Sequence, residues 1–154
     1  MDFDDAIAVM AEHEIKHATD EPDDGFVMRQ LALSLLSVSA GSQQLLYFAG
    51  SKFGKKLSFD AEDRVLVLED VADLFDRWGY GELTVTDEEG TVIEIDESLF
   101  VDDLEPTTDK PVCFFLAGMI AGCLQSGCGE KHVVNEIACQ AQDDEICRFK
   151  VREA

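Results

Sequence analysis

Residues 111–124 read PVCFFLAGMIAGCL, an apolar stretch that opens with a proline and holds glycines at positions 118 and 122. The fixed φ of Pro111 suits the start of a helix, so a helix is predicted to follow it. Gly50 and Gly54 show the same spacing within the mainly helical segment 26–57. Two glycines four residues apart let another backbone approach closely. The sequence therefore predicts tightly packed helices.

The other segments alternate between helical and strand patterns. Residues 68–78 carry apolar side chains at helical spacing and end at Gly79, and residues 83–95 alternate as a β-hairpin with a turn at Gly90. Two final strands are predicted over residues 132–141 and 145–151. This order predicts a chain that combines helices with two antiparallel hairpins. We expect one domain over residues 26–154, preceded by an acidic helical arm over residues 1–25.

The last hairpin brings two cysteines together. If its turn centres on Asp143, Cys139 and Cys147 lie directly opposite, with Cβ atoms about 4.5–5.5 Å apart. Glu136 lies three residues before Cys139, and a regular strand would direct these two side chains to opposite faces. Glu136 can join the cysteines only if the strand contains a bulge or bend.

The chain has five cysteines, all in its last third, which is an odd number in a chain that opens with acidic residues rather than a signal peptide. This pattern argues against a disulfide framework and favours metal binding, redox chemistry or burial. A thiolate at the helix start, Cys113, completes a closed four-coordinate set suited to structural zinc. The alternative is that these are small buried apolar residues.

The net charge of the chain limits the classes of partner that it can bind. The chain has 33 Asp and Glu against 12 Lys and Arg, a formal net charge of -21. Such a surface repels phosphate, so no nucleic acid partner is expected. No apolar run spans a bilayer, so we expect no membrane partner and a cytoplasmic protein. Carboxylates spread along the whole chain favour a salt-accumulating archaeal source over an acidic protein from ordinary salt.

Three segments resemble the C-terminal signature of the 4-vinyl-reductase domain family: PVCFFLAG at 111–118 continuing to Gly122, EIACQA at 136–141 and CRF at 147–149. The resemblance implies an α/β chain of the α+β type, with helices packed on one face of an antiparallel sheet. It also implies a homodimer and a fold related to Golgi-tethering TRAPP subunits and haem-based nitric oxide sensors. In relatives that sense phenol or xylene, the four matching positions hold zinc beside an apolar pocket. This implies zinc ligands at Cys113, Glu136, Cys139 and Cys147.

The family's pocket predicts an apolar ligand site from aromatic residues and one glycine: Tyr47, Phe48, Phe53, Trp78, Phe114, Phe115 and Gly118. Such side chains also commonly fill a core. Cys123 and Cys128 fall outside the zinc set, so they are candidates for a redox pair or for plain burial. His13 and His17 match the helix motif of zinc peptidases, although a solvated helix face is the favoured interpretation.

These features predict a stand-alone zinc-containing sensor domain that holds a small hydrophobic molecule and acts through a regulatory protein partner. No nucleophile and base are placed for turnover, so we do not expect an enzyme. The alternatives are an enzyme or accessory protein in tetrapyrrole vinyl reduction, a cysteine-based redox switch, and a TRAPP-like scaffold.

Overall fold

A computed structural model describes residues 24–39, 41–59, 61–101 and 111–154, with side chains from residue 31 onward. The elements follow in the order α1 (Asp24–Val38), α2 (Ser42–Gly54), α3 (Arg64–Trp78), β1 (Glu82–Val85), β2 (Val92–Asp96), α4 (Phe114–Cys128), β3 (His132–Ala138), a short 3-10 helix (Gln140–Gln142) and β4 (Cys147–Glu153). The predicted arm over residues 1–25 and the His13/His17 pair lie outside the described residues, apart from the first two residues of α1.

The four strands form one antiparallel sheet in the order β1-β2-β4-β3. In the first hairpin, Leu83 pairs with Ile95 and Val85 with Ile93, as the alternation predicts. Helix α4 packs on β3, and α3 packs on β1. The predicted α+β fold is confirmed, and β3 is an edge strand beside the central strand β4.

Helices α2 and α4 meet backbone to backbone. A Cβ atom added to Gly118 would overlap the carbonyl of Tyr47, and one added to Gly50 would overlap the carbonyl of Phe115. Gly54 and Gly122 make equivalent contacts one turn further along. We call this the glycine contact, which is Gly50 and Gly54 of α2 against Gly118 and Gly122 of α4. Because no side chain separates the two helices, α4 is buried on every side from Leu116 to Leu124.

Local signals fix the ends of α3. The Asp63 carboxylate accepts hydrogen bonds from the backbone N–H groups of Val65 at 3.0 Å and Leu66 at 3.4 Å. Gly79 ends the helix in the left-handed conformation, with φ of 69°. The buried side chains Val67, Leu68, Val71 and Phe75 then face the core.

No helix of the described residues has the length and apolar character needed to cross a membrane. The longest of these helices have 15 residues, whereas a span needs about 20.

Candidate metal centre and adjoining groove

Four predicted ligands converge from three parts of the fold. Cys113 is the N-cap residue of α4, Glu136 lies on β3, and Cys147 begins β4. Cys139 follows β3 and precedes the 3-10 helix. Their three sulfurs and one carboxylate oxygen all lie within 4.8 Å of one another. We call this set the Cys/Glu cluster, and the three cysteines in it are fully buried.

The bulge that the sequence requires is present in β3. Glu136 pairs with Phe149, but Ala138 pairs with Arg148, so the register shifts across Ile137. The inserted Ile137 is 56% exposed. Because of this extra residue, Glu136 and Cys139 both face the interior although they are three positions apart. The prediction of a bulge is confirmed.

The spacing of the ligand atoms in the Cys/Glu cluster and an unpartnered carboxylate oxygen both fit a bound cation. The Sγ atoms of Cys113 and Cys147 lie 3.8 Å apart, close to the roughly 3.8 Å between two sulfurs each about 2.3 Å from one tetrahedral zinc ion. Glu136 Oε2 accepts a hydrogen bond from the Cys113 backbone N–H at 3.1 Å. Its other oxygen, Oε1, is buried and has no hydrogen-bond partner among the described residues. An unpartnered buried carboxylate oxygen is costly unless a cation binds it, so these residues fit a metal ion.

Neighbouring groups hold the cluster in place. The backbone N–H of Gln140 donates to Cys147 Sγ at 3.4 Å, and Asp144 accepts from the Cys139 backbone N–H at 3.0 Å. The buried Ser98 hydroxyl lies 3.3 Å from Cys113 Sγ. Contacts of this kind orient ligands at metal sites. Ser98 was not predicted, because it lies in a segment whose sequence indicates an acidic loop, and only the apolar triplet Leu99-Phe100-Val101 marks it as inserted into the core.

Crowded buried acids shift one another's proton affinities. The thiol of Cys113 donates toward Cys139, which raises the pKa of Cys113 and lowers that of Cys139. The contact of Cys147 with Cys113 lowers its pKa, but Cys139 and burial together raise it above the ordinary value. Burial raises the pKa of Glu136 to about 9. Three of the four groups therefore keep protons that a bound cation would displace.

The structure also contains an open apolar groove with a cavity volume of about 680 Å³. Its lining comes from the start of α2, the first residue of α4 and the edge strand: Gly41, Gln43, Gln44, Leu45, Tyr47, Phe48, Phe114, Val133 and Asn135. Phe114 follows the ligand Cys113, and Asn135 precedes the ligand Glu136. The groove and the Cys/Glu cluster therefore share two segments of backbone.

Only part of the predicted pocket set lines this groove, namely Tyr47, Phe48 and Phe114. Phe53 lies elsewhere, with its ring centroid 6.0 Å from that of Trp78 and 6.3 Å from that of Phe115. Gly118 belongs to the glycine contact, where it meets the backbone of Tyr47 and leaves no space for a ligand. The sequence could not separate these roles, because an aromatic residue fills a core as readily as it lines a cavity.

Cys123 and Cys128 both lie on α4. Helical geometry separates the Cα atoms of residues five apart by about 8.7 Å, beyond the roughly 7 Å that a disulfide can bridge. Burial raises the pKa of Cys123 to about 12 and also raises that of Cys128. A disulfide between them would require the last turn of α4 to open.

The part of the chain that holds the Cys/Glu cluster matches a known family. Residues 91–153, which contain all four residues of the cluster, match the 4-vinyl-reductase domain. This part of the chain has the sequence pattern of a 4-vinyl-reductase domain. The resemblance seen in the sequence is confirmed, and the match begins at the second strand of the sheet.

Relatives of this chain include uncharacterized protein MJ0745 of Methanocaldococcus jannaschii, which is 33% identical over 110 residues, covering 71% of this chain and 56% of that protein. The chain thus spans little more than half of that relative. Uncharacterized protein MJ1460 of the same organism is 28% identical over 159 residues, covering 95% of this chain and 88% of its own length.

Solved structures extend the likeness beyond the matched residues. A vinyl-4-reductase family protein from M. jannaschii is 25% identical with a TM-score of 0.62, covering 98% of this chain and 93% of that one. The phenol-responsive sensory domain of the transcription activator PoxR, solved with phenol, is 15% identical with a TM-score of 0.67, covering 86% and 75%. A trafficking protein particle complex subunit 3 from Naegleria fowleri, covalently bound to palmitic acid, is 17% identical with a TM-score of 0.59, covering 85% and 95%. The PoxR sensory domain and the trafficking subunit share the fold of this chain.

Proposed function

We propose that this 4-vinyl-reductase chain is a zinc-stabilised domain that binds a small apolar molecule and passes its occupancy to a partner protein, as a homodimer. The observation that carries the proposal is the Cys/Glu cluster, whose four ligand atoms lie within 4.8 Å and include the unpartnered Oε1 of Glu136. Zinc suits three sulfurs and one oxygen better than magnesium or calcium, which prefer oxygen ligands.

The role of zinc at this site is structural. Four protein ligands fill a tetrahedral ion and leave no open position for a substrate or an activated water. Bound there, zinc would tie the start of α4 to the last two strands. We therefore expect binding rather than turnover, and no enzyme activity.

The ligand part of the proposal rests on the groove and on two fold neighbours. One of those neighbours was solved with phenol, and the other is covalently bound to palmitic acid. In this chain an apolar groove of about 680 Å³ lies in the range of about 300–1,000 Å³ that small-molecule sites occupy. Two of its lining residues, Phe114 and Asn135, are sequence neighbours of the proposed ligands Cys113 and Glu136, so zinc would help to hold that part of the wall in position.

Metal content tests the proposal directly. Reduced protein purified without chelator should contain close to one zinc per chain by elemental analysis. Cys139→Ser should lose the metal, because it removes one of four ligands. Cys128→Ser is the matched control, since it makes the same chemical change outside the Cys/Glu cluster, and it should keep the zinc.

A chelation experiment on the wild-type chain is also needed, because Cys139→Ser could lose zinc simply by failing to fold. Titrating wild-type protein with a competing zinc chelator measures the affinity without any substitution. Wild-type protein that is folded, reduced and free of metal would contradict the proposal.

A further inference from the structure

We infer that the groove selects an uncharged apolar molecule that carries a hydrogen-bond acceptor, and that the Tyr47 hydroxyl donates to this acceptor. The inference rests on the proposed small-molecule function and names the chemical class of the ligand. It concerns the groove alone and does not involve the metal.

The Tyr47 hydroxyl is used as a hydrogen-bond acceptor but not as a donor to any described residue. Its hydroxyl oxygen accepts a hydrogen bond from the backbone N–H of Val134 at 3.1 Å. A phenolic hydroxyl is also a donor, and no acceptor for its proton lies among the described residues. Since Tyr47 lines the groove and its oxygen is fixed at the edge strand, the spare proton is available to a molecule lying between α2 and β3.

The lining of the groove discriminates against charge. Among the described residues, the side chains that line the groove are aromatic, aliphatic or amide, and none of them is charged. The nearby Lys52 lies with its Nζ atom 5.1 Å from the centroid of the Phe48 ring, and Lys52 is not a lining residue. A carboxylate entering the groove would lose water without gaining a cation, in the field of a chain with net charge -21. A ketone, ether or neutral hydroxyl avoids this cost.

Three probe compounds separate the effects of the acceptor and of charge on binding: acetophenone, ethylbenzene and benzoate. They have similar shapes, but only acetophenone is a neutral acceptor and only benzoate is charged. Their dissociation constants would be measured by NMR titration on the full chain and on Tyr47→Phe. We expect Tyr47→Phe to weaken acetophenone about 3- to 10-fold, the value of one net hydrogen bond, and to leave ethylbenzene unchanged. Benzoate should not bind where acetophenone saturates.

Acetophenone and ethylbenzene are compared on the same Tyr47→Phe variant, because a general loss of stability would weaken the binding of both. Tyr80→Phe, the same change outside the groove, should alter neither constant. If Tyr47→Phe weakens both neutral compounds equally or neither of them, or if benzoate binds as well as acetophenone, the inference is wrong while the small-molecule function stands. If neither neutral compound binds the wild-type chain, the ligand part of the proposed function fails as well.

Discussion

The glycine contact and the Cys/Glu cluster both join α4 to the rest of the fold, but they differ in what completes them. Gly50, Gly54, Gly118 and Gly122 meet backbone directly, and this contact needs nothing beyond the chain. The Cys/Glu cluster buries four acidic groups and leaves one carboxylate oxygen without a partner. The glycine contact depends on shape alone, whereas we propose that the Cys/Glu cluster is completed by a bound cation.

Enlarging a side chain should therefore damage the glycine contact most. We expect Gly118→Leu to lower the free energy of unfolding by more than about 3 kcal/mol, at the upper end for overpacking, because the new side chain meets the Tyr47 backbone and not a movable side chain. Urea denaturation followed by circular dichroism measures this. Gly41→Ala is the control, since its Cβ would meet only Ser39 Oγ at 3.5 Å, and it should change stability by less than about 1 kcal/mol. Equal effects for the two variants would show that the helices are not in backbone contact.

Removing the proposed cation should weaken the Cys/Glu cluster and leave the glycine contact unchanged. Zinc at a hundredfold excess over its dissociation constant stabilises the folded state by about 2.7 kcal/mol, so a chelator should lower the melting temperature of wild-type protein. Scanning calorimetry with and without chelator measures the shift. Cys139→Ser should begin at the lower melting temperature and show no further response, and a chelator effect of wild-type size in that variant would place the metal elsewhere.

The smallest of these effects concerns a helix that neither region touches directly. Asp63→Ala removes the acceptor for two backbone N–H groups at the start of α3, which should cost about 1 kcal/mol. Asp70→Ala, at an exposed position within the same helix, provides the comparison and should leave stability nearly unchanged. Thermal denaturation of both variants would detect the difference, and a result in which Asp70→Ala costs more would show that helix capping is not the cause.

The sequence predicted what depends on local pattern. Helices and hairpins follow from periodicity, and the need for a bulge follows from the three-residue spacing of Glu136 and Cys139. Both the cysteine pattern and the family resemblance indicated the Cys/Glu cluster. Ser98 was missed because burial of a serine depends on distant packing. The pocket residues were only partly predicted, since nothing local distinguishes the groove-lining Phe114 from Phe115 beside it. The zinc ion, the homodimer and the salt-accumulating source stay predictions.

Tyr47 also bears on solubility. Strand β3 is an edge strand, and such an edge invites pairing with a strand of another molecule. Tyr47 covers the middle of this edge, because its hydroxyl occupies the Val134 N–H that an incoming strand would need. The side chain that borders the groove therefore also blocks one of the edge hydrogen bonds that a strand of another molecule would need.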